Sequence, residues 1–345
     1  MNRPPSPLTM LLSSHTRRRE FIAGIGGGVA WPLAAWAQRA ERIRRVGVLM
    51  PFRDDEPDAQ AEMAALRRGL ADHGWIEGRT IDVAVRWAGG NVELIESLAK
   101  ELVELKPDVL LSRSTPTTVA LKRESGDGIP IVFVNVAEPV EQGFVQSLAR
   151  PGGNITGFTN LEASVGSKML QLLKEIDPRI VRVAVIYNPQ TAPFAGSYVR
   201  PMEAAAASLG VEAIAKPVQS DFDIEDAMTA LARQPGGGLI AIPDSFTFER
   251  RDLIIALAER VRLPAVYAST YFTRSGGLLV YAVDSRDLMN RAAHYLDRIL
   301  RGTRSADLPV QQPIRFVFVI NLKTAKVLGL TVPPTLLARA DEVIE

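Results

Sequence analysis

The 345-residue chain contains no cysteine. That excludes disulfides, thiolate metal sites, thiol nucleophiles and a lipid-modified N-terminal cysteine. Histidine is nearly as scarce, with only His15, His73 and His294. So few imidazoles leave little for a histidine metal centre or a His-based triad, and no metal, cofactor or catalytic residue is assigned. An excess of charge is also missing: 40 basic residues stand against 39 acidic ones, a formal net of +1. Nucleic acid is therefore not an expected partner. What is present is ordinary, with 47% apolar and 23% charged residues. That composition and length fit two globular domains.

The N-terminus differs from the rest. Arg17, Arg18 and Arg19 precede Glu20-Phe21-Ile22, and an apolar, glycine-rich run leads to Ala35-Trp36-Ala37. A charged region, an apolar region and a small-x-small end make an export signal, with cleavage expected before Gln38. Arg18-Arg19-Glu20-Phe21-Ile22 fits the twin-arginine pattern. The apolar run of about fifteen residues is short of the roughly twenty needed to span a bilayer. Gly24 and the Gly26-Gly27-Gly28 run belong to this segment and are not a phosphate loop. Loss of residues 1–37 removes four Arg and one Glu, leaving a net charge of −2. A mildly acidic, cysteine-free exported chain suits the periplasm.

After Gln38, short apolar runs alternate with helical patterns. Strands are expected at 46–50, 81–87, 109–111 and 131–134, with helices at 59–73, 91–105 and 115–124 between them. The rhythm restarts with strands at 181–187, 211–217, 239–242, 265–267 and 278–281. Helices are expected at 193–209, 222–233, 246–261 and around Leu288–Ile299, and a late strand at 317–320. Strands apolar at every residue are buried on both faces, as in a parallel sheet covered by helices. Two such series, separated by Arg150-Pro151-Gly152-Gly153-Asn154, predict two doubly wound α/β lobes with a shared cleft at their strand ends.

Common enzyme motifs do not occupy that cleft. The first strand runs into Pro51-Phe52-Arg53-Asp54, and the first strand of the second series into Asn188-Pro189-Gln190-Thr191. Neither turn holds the glycines of a dinucleotide loop, and the chain has no P-loop and no G-x-S-x-G. Polar residues at strand ends are the candidates for binding. Ser112, Ser114 and Thr115 open a helix, where hydroxyls and free N–H groups suit an anion such as a carboxylate, or simply cap the helix. Asn135 and Glu138 follow the fourth strand; Asn188 and Asp244 hold the equivalent places in the second series. Asp244 fits either a ligand ammonium or a helix cap. Tyr267 and Tyr281 close later strands as ligand platforms or as core. Whether Arg113 turns inward is open.

Several segments together resemble a known family. They are the leader ending Trp31-Pro32-Leu33-Ala34-Ala35-Trp36-Ala37-Gln38, then Arg68-Gly69-Leu70 with Gly74-Trp75-Ile76-Glu77-Gly78-Arg79. Pro130-Ile131-Val132-Phe133 with Glu138-Pro139-Val140 is a third, and Ser147-Leu148-Ala149-Arg150-Pro151-Gly152-Gly153-Asn154-Ile155-Thr156-Gly157 the most specific. The combination is similar to ABC-transporter substrate-binding proteins of the tryptophan/tyrosine-permease-like group. The resemblance implies a type I periplasmic binding protein: two Rossmann-like lobes, a three-strand hinge and a small solute, such as an amino acid, clamped between them. Crossovers would fall near 155–161, 283–286 and 309–315. Lobe 1 would take 38–158 plus 285–312, and lobe 2 would take 159–284 plus 313–345, with the helix-rich tail 322–344 packed on it. The family often has Asp where this chain has Glu138. The implied role is a non-enzymatic monomer delivering a solute to an ABC permease in the inner membrane. An exported α/β enzyme on a small carboxylate, with Asp244 or Glu138 as base, and a solute sensor stay open as alternatives.

Overall fold

The apolar runs at 46–50 and 109–111 become the centre of a five-stranded sheet. A computed structural model describes residues 42–160 and 164–345 of the chain, and the elements below belong to one unit, Arg44–Glu345. The first sheet contains β1 (Arg44–Met50), β2 (Ile81–Trp87), β3 (Val109–Ser112), β4 (Ile131–Val136) and β5 (Ile155–Thr159). Its order is β2-β1-β3-β4-β5, with every neighbouring pair parallel. Helices α1 (Pro57–Asp72), α2 (Val92–Glu104) and α3 (Thr115–Ser125) make the crossovers. Asn91 caps α2, accepting from the amides of Glu93 and Leu94.

The second sheet has seven strands. They are β6 (Arg182–Tyr187), β7 (Glu212–Pro217), β8 (Gly237–Ala241), β9 (Ala265–Tyr267), β10 (Leu279–Val283), β11 (Phe316–Asn321) and β12 (Glu342–Ile344). The order is β12-β11-β10-β9-β8-β6-β7, and the β10–β11 pair alone is antiparallel. Helices α4 (Val165–Ile176), α5 (Gly196–Ala206), α6 (Asp221–Ala232), α7 (Ser245–Glu249), α8 (Arg251–Arg260) and α9 (Tyr271–Arg274) belong to this half. Each sheet is covered on both faces, with Val48 and Leu49, adjacent on β1, falling into different apolar clusters. Two parallel-dominated α/β lobes thus meet the sequence expectation.

The chain passes between the lobes three times. It leaves the first sheet after β5. After β10 it returns as α10 (Ser285–Leu300), which packs along α1. That packing needs Gly69, where a Cβ would lie 2.7 Å from the Ala293 Cβ. It then runs beside β5, where Gln311 bridges to Phe158, before joining the second sheet as β11.

Local details differ from the sequence reading. The 155–161 segment, expected as a crossover, is largely the fifth strand of the first sheet. The helix expected over 246–261 breaks at Arg250, whose φ of −105° and ψ of 15° leave the helical region. Helix α4 had no counterpart in the sequence reading. The tail is less helical than expected: α11 (Leu322–Val327) and α12 (Pro334–Leu337) are short, and β12 adds an edge strand. Its Ala325 and Leu336 are buried in the second lobe's core. The expected export signal lies outside the described residues. Among those described, no helix is long and apolar enough to cross a membrane.

Candidate functional site

Parallel sheets aim their carboxyl ends the same way, and the loops leaving those ends in both lobes enclose one cavity. It offers about 90 Å³ to atom centres. One water needs roughly 10–15 Å³ on that measure, so a solute of several non-hydrogen atoms fits. From the first lobe come Phe52 after β1, Arg113, Ser114 and Thr115 after β3, Asn135 near the end of β4, and Asn160 after β5. From the second come Thr191, Asp244, Tyr271 and Tyr281.

Ser114 caps α3, its backbone extended and its Oγ accepting from the Thr117 amide at 3.4 Å. Thr115, the next residue, is buried, and its Oγ1 has no hydrogen-bond partner. Asn160 is in the same position: its carbonyl accepts from the Tyr198 hydroxyl at 3.4 Å, but its Oδ1 has no partner. Leaving a buried polar atom unpaired costs about 1–3 kcal/mol, and both of these belong to residues that line the cavity.

Arg113 does line the cavity, but its charge is already committed. It is 5% exposed and donates to both oxygens of Glu62, at 2.5 and 2.8 Å, and to Ser285 Oγ at 3.0 Å. Asn135 holds it from the other side. With the amide oxygen turned toward the guanidinium, Asn135 accepts from Nη1 and Nη2 at 2.7 Å and from Ser285 Oγ at 2.8 Å. Asn135 manages this at a φ of 58°, a left-handed conformation that asparagine tolerates better than most residues.

Asp244 caps α7 and ties the second lobe's loops together. It accepts from the amides of Phe246 and Asn188 at 3.0 and 2.8 Å and from the Thr191 hydroxyl. Burial pushes its carboxyl above the ordinary range, outweighing the bonds from Thr191, Asn188 and Phe246.

Five of the nine sequence candidates line the cavity: Ser114, Thr115, Asn135, Asp244 and Tyr281. The other four lie elsewhere. Ser112 is fully buried, its Oγ bonded to Thr118 Oγ1 at 2.7 Å. Strand alternation turns Tyr267 into the core, stacked on Phe272 at 4.3 Å, while the next residue, Ala268, reaches the cavity. Asn188 spends its Oδ1 on the Gln190 amide. Glu138 lines a separate surface groove with Arg200 and Gln312. Thr191, Asn160, Phe52 and Tyr271 were not singled out in the sequence. Asn160 carried a usable signal, since it follows a strand end, but that strand had been read as a crossover.

The lobes also touch directly beside the cavity. Phe52 of the first lobe packs on Phe248 and Tyr271 of the second, with centroids 4.7 and 4.8 Å apart. Arg251 Nη2 meets Glu56 Oε2 at 2.6 Å, and the Tyr271 hydroxyl donates to Glu62 Oε1 at 3.0 Å. Burial raises the Tyr271 phenol well above its ordinary range, and Glu62 adds to the effect, so it stays a proton donor.

The most specific sequence motif has a structural task. Asn154 Nδ2 donates to the carbonyls of Gly126 and Ile129, and Thr156 Oγ1 to that of Leu308. At Gly157, φ is 155° and a Cβ would stand 2.1 Å from the Phe133 carbonyl oxygen. The motif docks β5 against β4 and does not line the cavity.

Two α/β lobes around a shared cavity with polar and apolar walls, joined by three passages, define a two-lobed solute-binding protein. The family described as ABC transporter substrate binding protein matches residues 45–344, and the chain belongs to it. A tyrosine-binding protein of Clostridioides difficile strain R20291 is 25% identical over 277 residues, covering 80% of this chain and 79% of that one. The structure of a conserved domain protein from Vibrio cholerae is 29% identical, with a TM-score of 0.80 over 88% of this chain and all of that one. A Streptococcus pneumonia ABC domain in complex with L-Trp shares the fold, at 22% identity and a TM-score of 0.80 over 88% of this chain and 100% of its own.

Proposed function

We propose that this protein captures an amino acid in the interlobe cavity and presents it, chemically unchanged, to an ABC permease. The carrying observation is that two residues lining the cavity, Thr115 and Asn160, each keep a buried oxygen without a partner, Oγ1 and Oδ1. A hydroxyl donates or accepts, whereas an amide oxygen only accepts. Together with the α3 N-terminus and Asp244, the wall supplies donors for a carboxylate and acceptors for an ammonium. Ser114, Thr115, Asn135, Asp244 and Tyr281 are the binding residues in this reading, with Ser112, Glu138, Asn188 and Tyr267 in support behind or beside them. The names of the tyrosine-binding relative and the L-Trp complex favour an aromatic side chain, which Phe52 and Tyr271 would meet.

Export by the twin-arginine route to the periplasm, a monomeric state, and lobes divided as 38–158 plus 285–312 and 159–284 plus 313–345 belong to the same proposal. Catalysis has less support, because Asp244 is tied down by three donors as a helix cap. Thermal unfolding with a panel of amino acids, L-Tyr and L-Trp included, tests the reading. The cognate solute at one hundred times its Kd should stabilise by about 2.7 kcal/mol and be recovered intact. Conversion of the solute, or no stabilisation across the panel, would sink it.

A further inference from the structure

The only two histidines outside the expected leader meet on the surface of the first lobe. His73 closes α1 as its C-cap, and His294 lies along α10. Their ring centroids are 5.2 Å apart. Asp297, nearly one turn further along α10, joins them, and one ligand atom from each side chain lies within 4.8 Å of the other two. Asp297 is also held in place from behind. Trp75 Nε1 and Arg301 Nε both donate to its Oδ1, at 2.9 and 2.6 Å, so Oδ2 keeps its lone pairs. Bonds of this kind orient a carboxylate toward a metal.

We propose that His73, His294 and Asp297 form a site for a divalent transition-metal ion of the Zn²⁺, Ni²⁺, Cu²⁺ class, with water completing its coordination. The donor set decides the class. Two imidazole nitrogens and one carboxylate suit borderline metals. Ca²⁺ and Mg²⁺ need a shell of oxygens, and the single carboxylate here is already offset by Arg301. Tetrahedral Zn²⁺ with bonds of about 2.0–2.2 Å brings its donors to roughly 3.3 Å from one another. The exposed His294 ring can close the remaining gap by changing rotamer. Arg291 and Arg298 line the same recess and oppose a cation, so moderate affinity is expected. The ion would staple α1 to α10, the helix that returns from the second lobe.

The test uses the mature protein without an affinity tag, stripped by chelator and titrated with Zn²⁺ by calorimetry. Co²⁺ absorption and Cu²⁺ electron paramagnetic resonance report the ligands. One equivalent of Zn²⁺ should bind, Cu²⁺ should show nitrogen hyperfine coupling, and millimolar Ca²⁺ or Mg²⁺ should not compete. His294→Ala, at an exposed position, should weaken Zn²⁺ binding at least tenfold with an unchanged circular dichroism spectrum. His73→Ala and Asp297→Asn should each weaken it too. No Zn²⁺ binding to the wild type, or binding that His294→Ala leaves unchanged, overturns the assignment.

Discussion

At the residue scale, Asp244 and Ser114 sit on opposite walls of one cavity and should differ sharply in their weight. A buried charge that loses its partner costs about 2–5 kcal/mol, against about 0.5–1.5 for a neutral hydroxyl bond. Asp244→Asn should therefore weaken amino-acid binding far more than Ser114→Ala, which keeps the α3 backbone donors. Calorimetric titration of both variants separates the cases, and equal small losses would leave Asp244 as a cap only. The raised carboxyl also sets a pH dependence. A ligand ammonium needs Asp244 ionised, so affinity should fall, up to tenfold per pH unit, below its raised pKa. The unliganded fold behaves oppositely. A carboxyl whose folded pKa is raised burdens the native state while ionised, and that burden lifts as pH falls through the folded pKa. Binding isotherms and melting curves across acidic pH should show the two opposed trends. Parallel trends would argue against an ammonium at Asp244.

At the scale of elements, the Arg150–Gly157 motif and the Glu62–Arg113 pair hold the cavity wall without needing to touch a ligand. Gly157→Ala forces a Cβ against the Phe133 carbonyl, where backbone cannot yield cheaply. It should cost about 1–3 kcal/mol or more, measured by urea unfolding. An unchanged midpoint would mean that β5 shifts freely. Arg113 shows why residue type alone misleads. A lone arginine beside a cleft reads as a carboxylate clamp, but Glu62, from a helix far earlier in the chain, claims its Nε–Nη2 edge, and Asn135 takes the Nη1–Nη2 edge. Nothing near Arg113 in sequence announces that partner. Four of the nine expected site residues miss the cavity for similar reasons. Strand-end position was legible, but which way Ser112 and Tyr267 turn depends on register and neighbours. Asn160 went unnoticed because a five-residue strand was read as a linker.

For the whole molecule, the direct lobe contacts describe a closed arrangement. Phe52 packs on Phe248 and Tyr271, and Glu56 and Glu62 reach across to Arg251 and Tyr271. Ligand and these contacts should favour closure together. Small-angle scattering should show a smaller radius of gyration with saturating solute. Tyr271→Phe removes a bond to a charged group, worth about 1.5–3 kcal/mol, and should shift the unliganded scattering toward an open form and weaken binding. A wild-type profile identical with and without solute would point to a preformed cavity and no hinge motion.

The sequence by itself determined the fold class, because burial on both faces of a parallel sheet writes near-continuous apolar runs, and those runs alternate with helical periods in two series. It also determined that the cleft lacks the common cofactor loops, since those are local motifs. Only the tertiary structure decided which strand-end residues line the cavity, that Arg113 is neutralised, that Asp244 caps a helix, and that His73 and His294 meet. Each of these depends on pairs far apart in the chain, and a side chain's partner across a sheet or between lobes is fixed by packing, which leaves no periodic signature in the sequence.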